Sequence, residues 1–252
     1  MTIDRWVPFR NEGAVVRFRL FAFPHAGGNA AFYRPLRRLM PPEVDFCPIE
    51  LPGRAARLDE PPFTSMSALM EQLHHALQPL MAIPFGFFGH SVGAWMAYEV
   101  ARQLRSIDGR IPVHLFVSGR GSPKRGAADL PPARPRSDAD LLATPAAIMQ
   151  RPELIAALLP ALRADLALVD GYAVDPGDRI ACPITACGGA DDLSHSGSLQ
   201  SWRDFTRGNF RACIFPGGHF YFGPEAGALA REIVRDAHAS VGMNAVNDGL
   251  CT

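Results

Sequence analysis

The sequence predicts an α/β protein, a mostly parallel sheet with helices on both faces. Three observations predict it. Six short apolar runs, most of them closed by glycine or proline, read as buried strands. Amphipathic helical patterns stand between them, and strands alternating with helices pair in parallel under two covering layers. The chain has 252 residues, 48% hydrophobic and 20% charged, enough to bury the core of one such domain.

The first two strands are expected in "VVRFRLFAF" (15–23) and "VDFCPIEL" (44–51). A helix follows in "TSMSALMEQLHHALQPL". There Met66, Leu69, Met70, Leu73, Leu77 and Leu80 keep helical spacing, and Thr64 or Ser65 can cap the start. The third strand, "IPFGFFG" (83–89), leads into a helix striped by Val92, Trp95, Met96, Val100 and Leu104. "IPVHLFVSG" (111–119), "CPITACGG" (182–189) and "FRACIFPGG" (210–218) complete the strands. "PEAGALAREIVRDAHASV" makes the last helix, with Pro224 in its first turn. Residues 120–180 break the alternation: a Pro-, Gly- and Arg-rich segment precedes a long helical stretch, too much chain for a connecting loop. This insertion is expected to be a helical lid over the carboxyl ends of the strands, where open α/β sheets bind ligands. Residues 1–241 are thus expected to form a single domain with that lid, and 242–252, which lacks periodicity, a flexible tail.

Charge and cysteine content narrow the function classes. The 25 basic and 25 acidic residues balance, which speaks against nucleic acid or an anionic membrane as partner. The five cysteines are odd in number and none forms C-x-x-C, which argues against a disulfide framework or a zinc site and for a reducing, cytoplasmic setting. The N-terminus lacks a signal-peptide core, and no apolar run is long enough to span a bilayer.

The chemistry centres on "FFGHSVGAWMAYEV" (87–100). Gly89-x-Ser91-x-Gly93 lies between a strand and a helix, the context of a nucleophile elbow, where small neighbours let strand and helix backbones close around a strained turn. Without that context the spacing is common by chance, and Ser91 would be an ordinary connection residue. A serine hydroxyl needs a base, which in this arrangement comes last in the chain. "FPGGHF" puts His219 on a glycine-rich loop after the last strand. His74 and His75 lie on a helix, His114 in a strand and His238 near a helix end. His25 precedes the serine, His90 should point away from it, and His195 lies too close to the acid. The acid should follow the preceding strand, where "GGADD" offers Asp191 and Asp192. Asp192, three residues past Gly189, is preferred, and Asp191 stays open. The acid would fix the imidazole tautomer and stabilise the imidazolium. For an oxyanion, the backbone N–H of Val92 is one donor and that of Ala26, in the "FPHAGG" loop after the first strand, the second. The same loop read as a phosphate cradle lacks the G-x-G-x-x-G spacing.

"FPHAGG", "IELPGRAARLDEPPF", "GHSVGAWMAYEVARQL", "LLPALRADLALVDGY", "GGADD" and "FPGGHFYF" together resemble the stand-alone (type II) thioesterases of polyketide and nonribosomal peptide synthesis, in order from about residue 5 to about residue 240. The resemblance implies an α/β-hydrolase fold with a mobile helical lid. It implies hydrolysis of acyl groups from an acyl carrier protein or peptidyl carrier protein bearing acyl-phosphopantetheine, by Ser91, His219 and Asp192 (or Asp191), with oxyanion amides at Ala26 and Val92. No metal or other cofactor is expected. Arg34, Arg37, Arg38, Lys124 and Arg125 could face an acidic carrier, although such arginines more often form a solvated helix face. Alternative readings are a medium-chain fatty acyl thioesterase, a general carboxylesterase, and a non-catalytic relative that binds acyl chains or a partner.

Overall fold

Phe21 and Phe23 point to one side of their strand, and Leu20 and Ala22 to the other; all four are buried. A strand apolar on both faces belongs inside a sheet covered by helices on each side, and the computed structural model shows this arrangement. It describes residues 3–11, 13, 15–123, 152–170, 172–192 and 199–242. The elements, in order, are α1 (Ile3–Trp6), β1 (Phe18–Phe23), α2 (Arg34–Arg37), β2 (Val44–Pro48), α3 (Met66–Leu77), β3 (Phe85–His90), α4 (Val92–Asp108), β4 (Leu115–Ser118), α5 (Pro152–Val169), β5 (Ile184–Gly189), β6 (Phe210–Phe215) and α6 (Ala226–Val241). Short 3-10 turns, among them Ala30–Tyr33 and Leu199–Phe205, join them.

The six strands pair in parallel in the order β2-β1-β3-β4-β5-β6. The chain therefore starts in the interior, steps out to β2, and returns across β1 to build the rest. The reversal falls between β1 and β3, and in such sheets the crevice for a ligand opens at the carboxyl ends of the strands flanking the reversal. Phe23, the last residue of β1, is in register with Gly89, two residues before Ser91.

Alternation along the strands feeds two cores. Phe21, Phe23, Phe87, Val117, Ile184 and Ala186 pack with Leu69, Leu73 and Leu77 of α3 and Met96 and Val100 of α4. Leu20, Ala22, Phe88 and Phe116 pack on the opposite face with Tyr33, Leu36 of α2, and Leu229, Ile233 and Ala237 of α6. The edge strand β6 is only half covered, as expected for the last strand of an open sheet.

All six expected strands form, with shorter ends. The first begins at Phe18, the fourth at Leu115 so that His114 just precedes it, and the sixth ends at Phe215. Ser65 occupies the N-cap of α3, but its hydroxyl pairs with Ser67 Oγ (2.9 Å) and makes no cap bond. Pro224 lies just outside α6, where Glu225 is the N-cap. Within the expected lid, 120–180, the described part is 120–123 and most of 152–180, including α5; residues 124–151 lie outside the described residues, as does the tail from 243.

His114 is buried where β4, β5 and α6 meet. Its Nε2 and Nδ1 lie 2.9 Å from Thr185 Oγ1 and Ser240 Oγ. Burial lowers its pKa from 6.5 to about 4, against the opposing pull of Asp236 and with a smaller push from Arg211. The unfolded chain takes up this proton near 6.5 while the folded one resists until about 4, so stability falls as pH drops through that interval. Unfolding midpoints followed by circular dichroism from pH 8 to 4.5 should decline, and His114→Gln should show a shallower decline from a lower starting value.

Candidate active site

β3 ends in His90 and α4 begins at Val92, so Ser91 must turn the chain through a single residue. Its backbone has φ +55° and ψ −119°. Among the described residues only Ala55 shares a positive φ without being glycine. Strain of this kind costs roughly 1–3 kcal/mol and persists only where the surroundings enforce it. Here the Ser91 amide donates to the Ser118 carbonyl of β4 (2.8 Å), and the Ser91 carbonyl accepts from Ala94 (3.0 Å). The flanking glycines are required for clearance: a Cβ on Gly89 would overlap the Gly93 carbonyl, and one on Gly93 would overlap the carbonyl oxygens of Phe23 and Pro24. The second contact presses the start of α4 against the end of β1. Ser91 is left half-buried at the carboxyl edge of the sheet.

His219 arrives from the far end of the chain. After β6 the backbone turns at Gly217 (φ +103°) and delivers the imidazole to the same edge. Its Nδ1 lies 2.7 Å from Oδ2 of Asp192, whose side chain is 4% exposed. Asp191 is exposed, and its amide donates to the Gly217 carbonyl (2.9 Å). The structure thus brings Asp192, and not its neighbour, to the imidazole. Hydrogen bonding of Nδ1–H to a carboxylate leaves Nε2 as the basic nitrogen. The His219 ring centre is 4.7 Å from that of His90, the residue before Ser91. Its Cε1 lies 3.2 Å from where a Cβ on Gly119 would stand, and Gly119 follows the Ser118 that anchors Ser91. Position 219, remote in sequence, is therefore brought beside His90, the residue before Ser91, at the end of β4.

The loop after β1 lies alongside. Gly28 donates to the His25 carbonyl (2.9 Å), Gly27 is left-handed at φ +72°, and Gly27 N donates to Asp165 Oδ2 of α5 (2.8 Å). Val92 N–H, in the first turn of α4, has no intrahelical acceptor. Among the described residues neither the Ala26 nor the Val92 amide donates a hydrogen bond. Burial, then the neighbouring His219 and Arg54, lower the His25 pKa to about 4, so this ring is neutral near pH 7.

His90 is drawn into the core beneath the site. Its ring is buried on the face shared with Phe88, with Nδ1 2.9 Å from Ser118 Oγ, and it lies against the base candidate itself. Strand alternation from Phe88 carries the signal for its face, but nothing in the sequence shows that His219 stacks there. Arg54 and Asp165 also escape a sequence reading, although an aspartate in the apolar run "ADLALV" hints at a buried partner. His74 and His75 lie on α3 and His238 in the last turn of α6; His195 lies outside the described residues. Arg34 and Arg37 are on α2, with Arg38 its C-cap; Arg34 and Arg38 are exposed, and Lys124 and Arg125 lie outside the described residues. Among the described residues no group of three or more side chains could hold a metal ion. No described helix is long and apolar enough to cross a membrane.

Comparison with known proteins gives a consistent picture. The family described as "Thioesterase domain" matches residues 18–240. The gramicidin S biosynthesis protein GrsT of Aneurinibacillus migulanus is 37% identical over 226 residues, covering 87% of this chain and 88% of the relative. The solved type II thioesterase BorB from the borrelidin biosynthetic cluster is 30% identical with a TM-score of 0.77, over 93% of this chain and 97% of BorB. RedJ, a thioesterase from the prodiginine pathway of Streptomyces coelicolor, is 34% identical with a TM-score of 0.76, over 88% of this chain and 87% of RedJ.

The clearance at the elbow yields a test. Gly93→Ala should lower stability by about 1–3 kcal/mol, because the methyl group can be fitted only by moving β1 away from α4. Chemical denaturation of the two proteins measures this, and an unchanged midpoint would show that the contact tolerates expansion.

Proposed function

The chain belongs to the thioesterase family, has the α/β-hydrolase fold and hydrolyses thioesters; we propose that its substrates are acyl or peptidyl carrier proteins bearing acyl-phosphopantetheine, cleaved through an acyl-enzyme on Ser91. The observation that carries the mechanism is the Asp192–His219 hydrogen bond, made by an enclosed carboxylate at the same sheet edge as a serine held at positive φ. The observation that favours a carrier-bound substrate is the likeness to proteins named for peptide and polyketide biosynthesis.

In this reading His219 Nε2 accepts the Ser91 proton as Oγ attacks the thioester carbonyl. The carbonyl oxygen gains charge and is received by the amides of Ala26 and Val92. The tetrahedral adduct collapses by breaking the C–S bond, and the imidazolium returns its proton to the departing thiol. Water, deprotonated by the same imidazole, then attacks the acyl-serine ester, and the proton passes back to Ser91 as the acid leaves. Asp192 stays ionised throughout and stabilises the imidazolium. Loss of one oxyanion donor should raise the barrier by about 3 kcal/mol. Thiolate is a good leaving group, so the acid role of His219 matters less here than in amide hydrolysis.

We assign α5 to the base of a lid formed by 120–180, because Leu162 packs on Gly27 and Asp165 binds its amide, at the carboxyl end of β1. Exposed Arg34 and Arg38, on the segment that follows the loop of Ala26, are suited to an acidic carrier. A cytoplasmic setting fits the free thiols of Cys47, Cys182, Cys187 and Cys213.

Ser91→Ala should abolish turnover and the covalent acyl adduct seen by intact-protein mass spectrometry; retained hydrolysis would remove the mechanism. Asp192→Asn should lower kcat by orders of magnitude, up to about 10⁴-fold by the precedent of serine proteases, while Asp191→Asn stays near wild type. Charge reversal at Arg34 and Arg38 should raise KM for acyl carrier proteins and leave a small pantetheine thioester unaffected. Equal effects on both substrates would exclude this docking face.

A further inference from the structure

Among the described residues the most enclosed ion pair joins Arg54 and Asp165, whose side chains are 3% and 2% exposed. The pair is bidentate: Nη1 donates to Oδ2 (2.6 Å) and Nη2 to Oδ1 (2.8 Å). It links the loop after β2 to α5, 111 residues away in sequence. Neither residue takes part in the acyl-transfer steps. Burying two charges is costly even when they pair, so the attraction alone is weak grounds for their being there.

What distinguishes this pair is its second set of contacts. Asp165 Oδ2 also accepts from the Gly27 amide (2.8 Å). Arg54 Nη1 also donates to the Gly28 carbonyl (3.0 Å), and its Nε donates to the Pro52 carbonyl (3.2 Å). Each member therefore holds one peptide of the loop that carries Ala26. The His25–Ala26 peptide is held from within, since its carbonyl accepts from Gly28 N (2.9 Å). The N–H of a planar trans peptide points opposite to its carbonyl, and the described peptides are all trans. The Ala26 N–H is therefore aimed out of the turn, and its aim depends on Gly27 and Gly28 staying where the ion pair holds them. Gly27 is left-handed and lacks a side chain to restrict it, so the restriction has to come from outside the loop. Leu162, one turn before Asp165 on α5, closes over Gly27 from the same side.

We propose that Arg54 and Asp165 are positioning residues for the oxyanion loop, holding the Ala26 amide in the direction from which it receives the substrate oxygen. This rests on the proposed role of Ala26. Catalysis by fixed donors depends on their being oriented before charge develops, so loosening the clamp weakens binding of the transition state more than binding of the thioester.

The test uses the full chain and a short acyl thioester of N-acetylcysteamine, with a trifluoromethyl ketone of matched acyl length as an analogue that places an oxyanion on the serine adduct. Asp165→Ala should lower kcat about tenfold or more with KM within about threefold, and ketone affinity should fall in step with kcat/KM. Asp165→Asn keeps an acceptor for Gly27 but loses the charge facing Arg54, and should lose about threefold in kcat. Arg54→Lys, which keeps the charge without the fork, should retain more activity than Arg54→Ala. Melting temperatures separate these effects from simple unfolding. The proposal is overturned if folded Asp165→Ala keeps wild-type kcat, or if kcat falls while the ketone binds unchanged. Should Asp165→Ala not fold, wild-type kcat and ketone affinity in Asp165→Asn overturn it. Ser91→Ala, run alongside, separates the two levels: turnover there defeats the acyl-enzyme reading, whereas an inactive Ser91→Ala beside normal Asp165 variants defeats the positioning role alone.

Discussion

The backbone of Gly93 sits against the carbonyl oxygens of Phe23 and Pro24 with no room for a side chain, and the geometry of the site descends from that contact. It brings the first turn of α4 to the end of β1, at the reversal of strand order. The Val92 amide and the loop of Ala26 thereby become neighbours of Ser91. The same closeness forces the single-residue turn at Ser91, whose positive φ is maintained by bonds to β4 and α4. Parallel pairing is what makes such convergence possible, because every strand ends at the same edge and each loop that leaves it can contribute one functional group.

Electrostatics around the edge follow from burial. Asp192 is enclosed and bonded to His219, which sits over the ring of His90. His25, nearby, is kept neutral chiefly because burial disfavours its charged form, with His219 and Arg54 adding to the effect. Glu50, two residues past β2, has its pKa raised by desolvation to about 7 despite the Ala30 amide, Arg54 and Arg57. Arg54, paired with Asp165, is close enough to both His25 and Glu50 to act on each. Buried charge at this edge is thus concentrated in paired, hydrogen-bonded groups, while His25 is held neutral and Glu50 is pushed toward its neutral form, as an interior of low polarisability demands.

Much of this was legible beforehand. Six apolar runs marked six strands, since a parallel sheet buried on both faces requires nearly continuous hydrophobicity. The serine between glycines and the loop "FPHAGG" stood out because backbone clearance restricts those positions to small residues, and the histidine after "FPGG" because Gly217 turns at positive φ. Strand ends were less legible: the last residues of an apolar run look alike whether they pair, as Phe215 does, or turn, as Pro216 and Gly217 do. Ser65 stands at the N-cap of α3, but its hydroxyl is taken by Ser67 and not by a backbone amide, a choice no spacing pattern reveals.

The sequence by itself determined the order of the elements, the location of the elbow and the identity of Ser91 and His219 as candidates, because each depends on local periodicity or on a residue type that alone fits a tight turn. It preferred Asp192 to Asp191 only by its offset from Gly189, since two adjacent carboxylates differ mainly in which way the strand end directs them. The tertiary structure decided that question, with one buried against the imidazole and the other turned to solvent. It also decided that His90 lies under His219, and that Arg54 and Asp165, 111 residues apart, meet behind the Ala26 loop. Contacts of that kind depend on how distant segments pack, which no pattern within a single segment encodes.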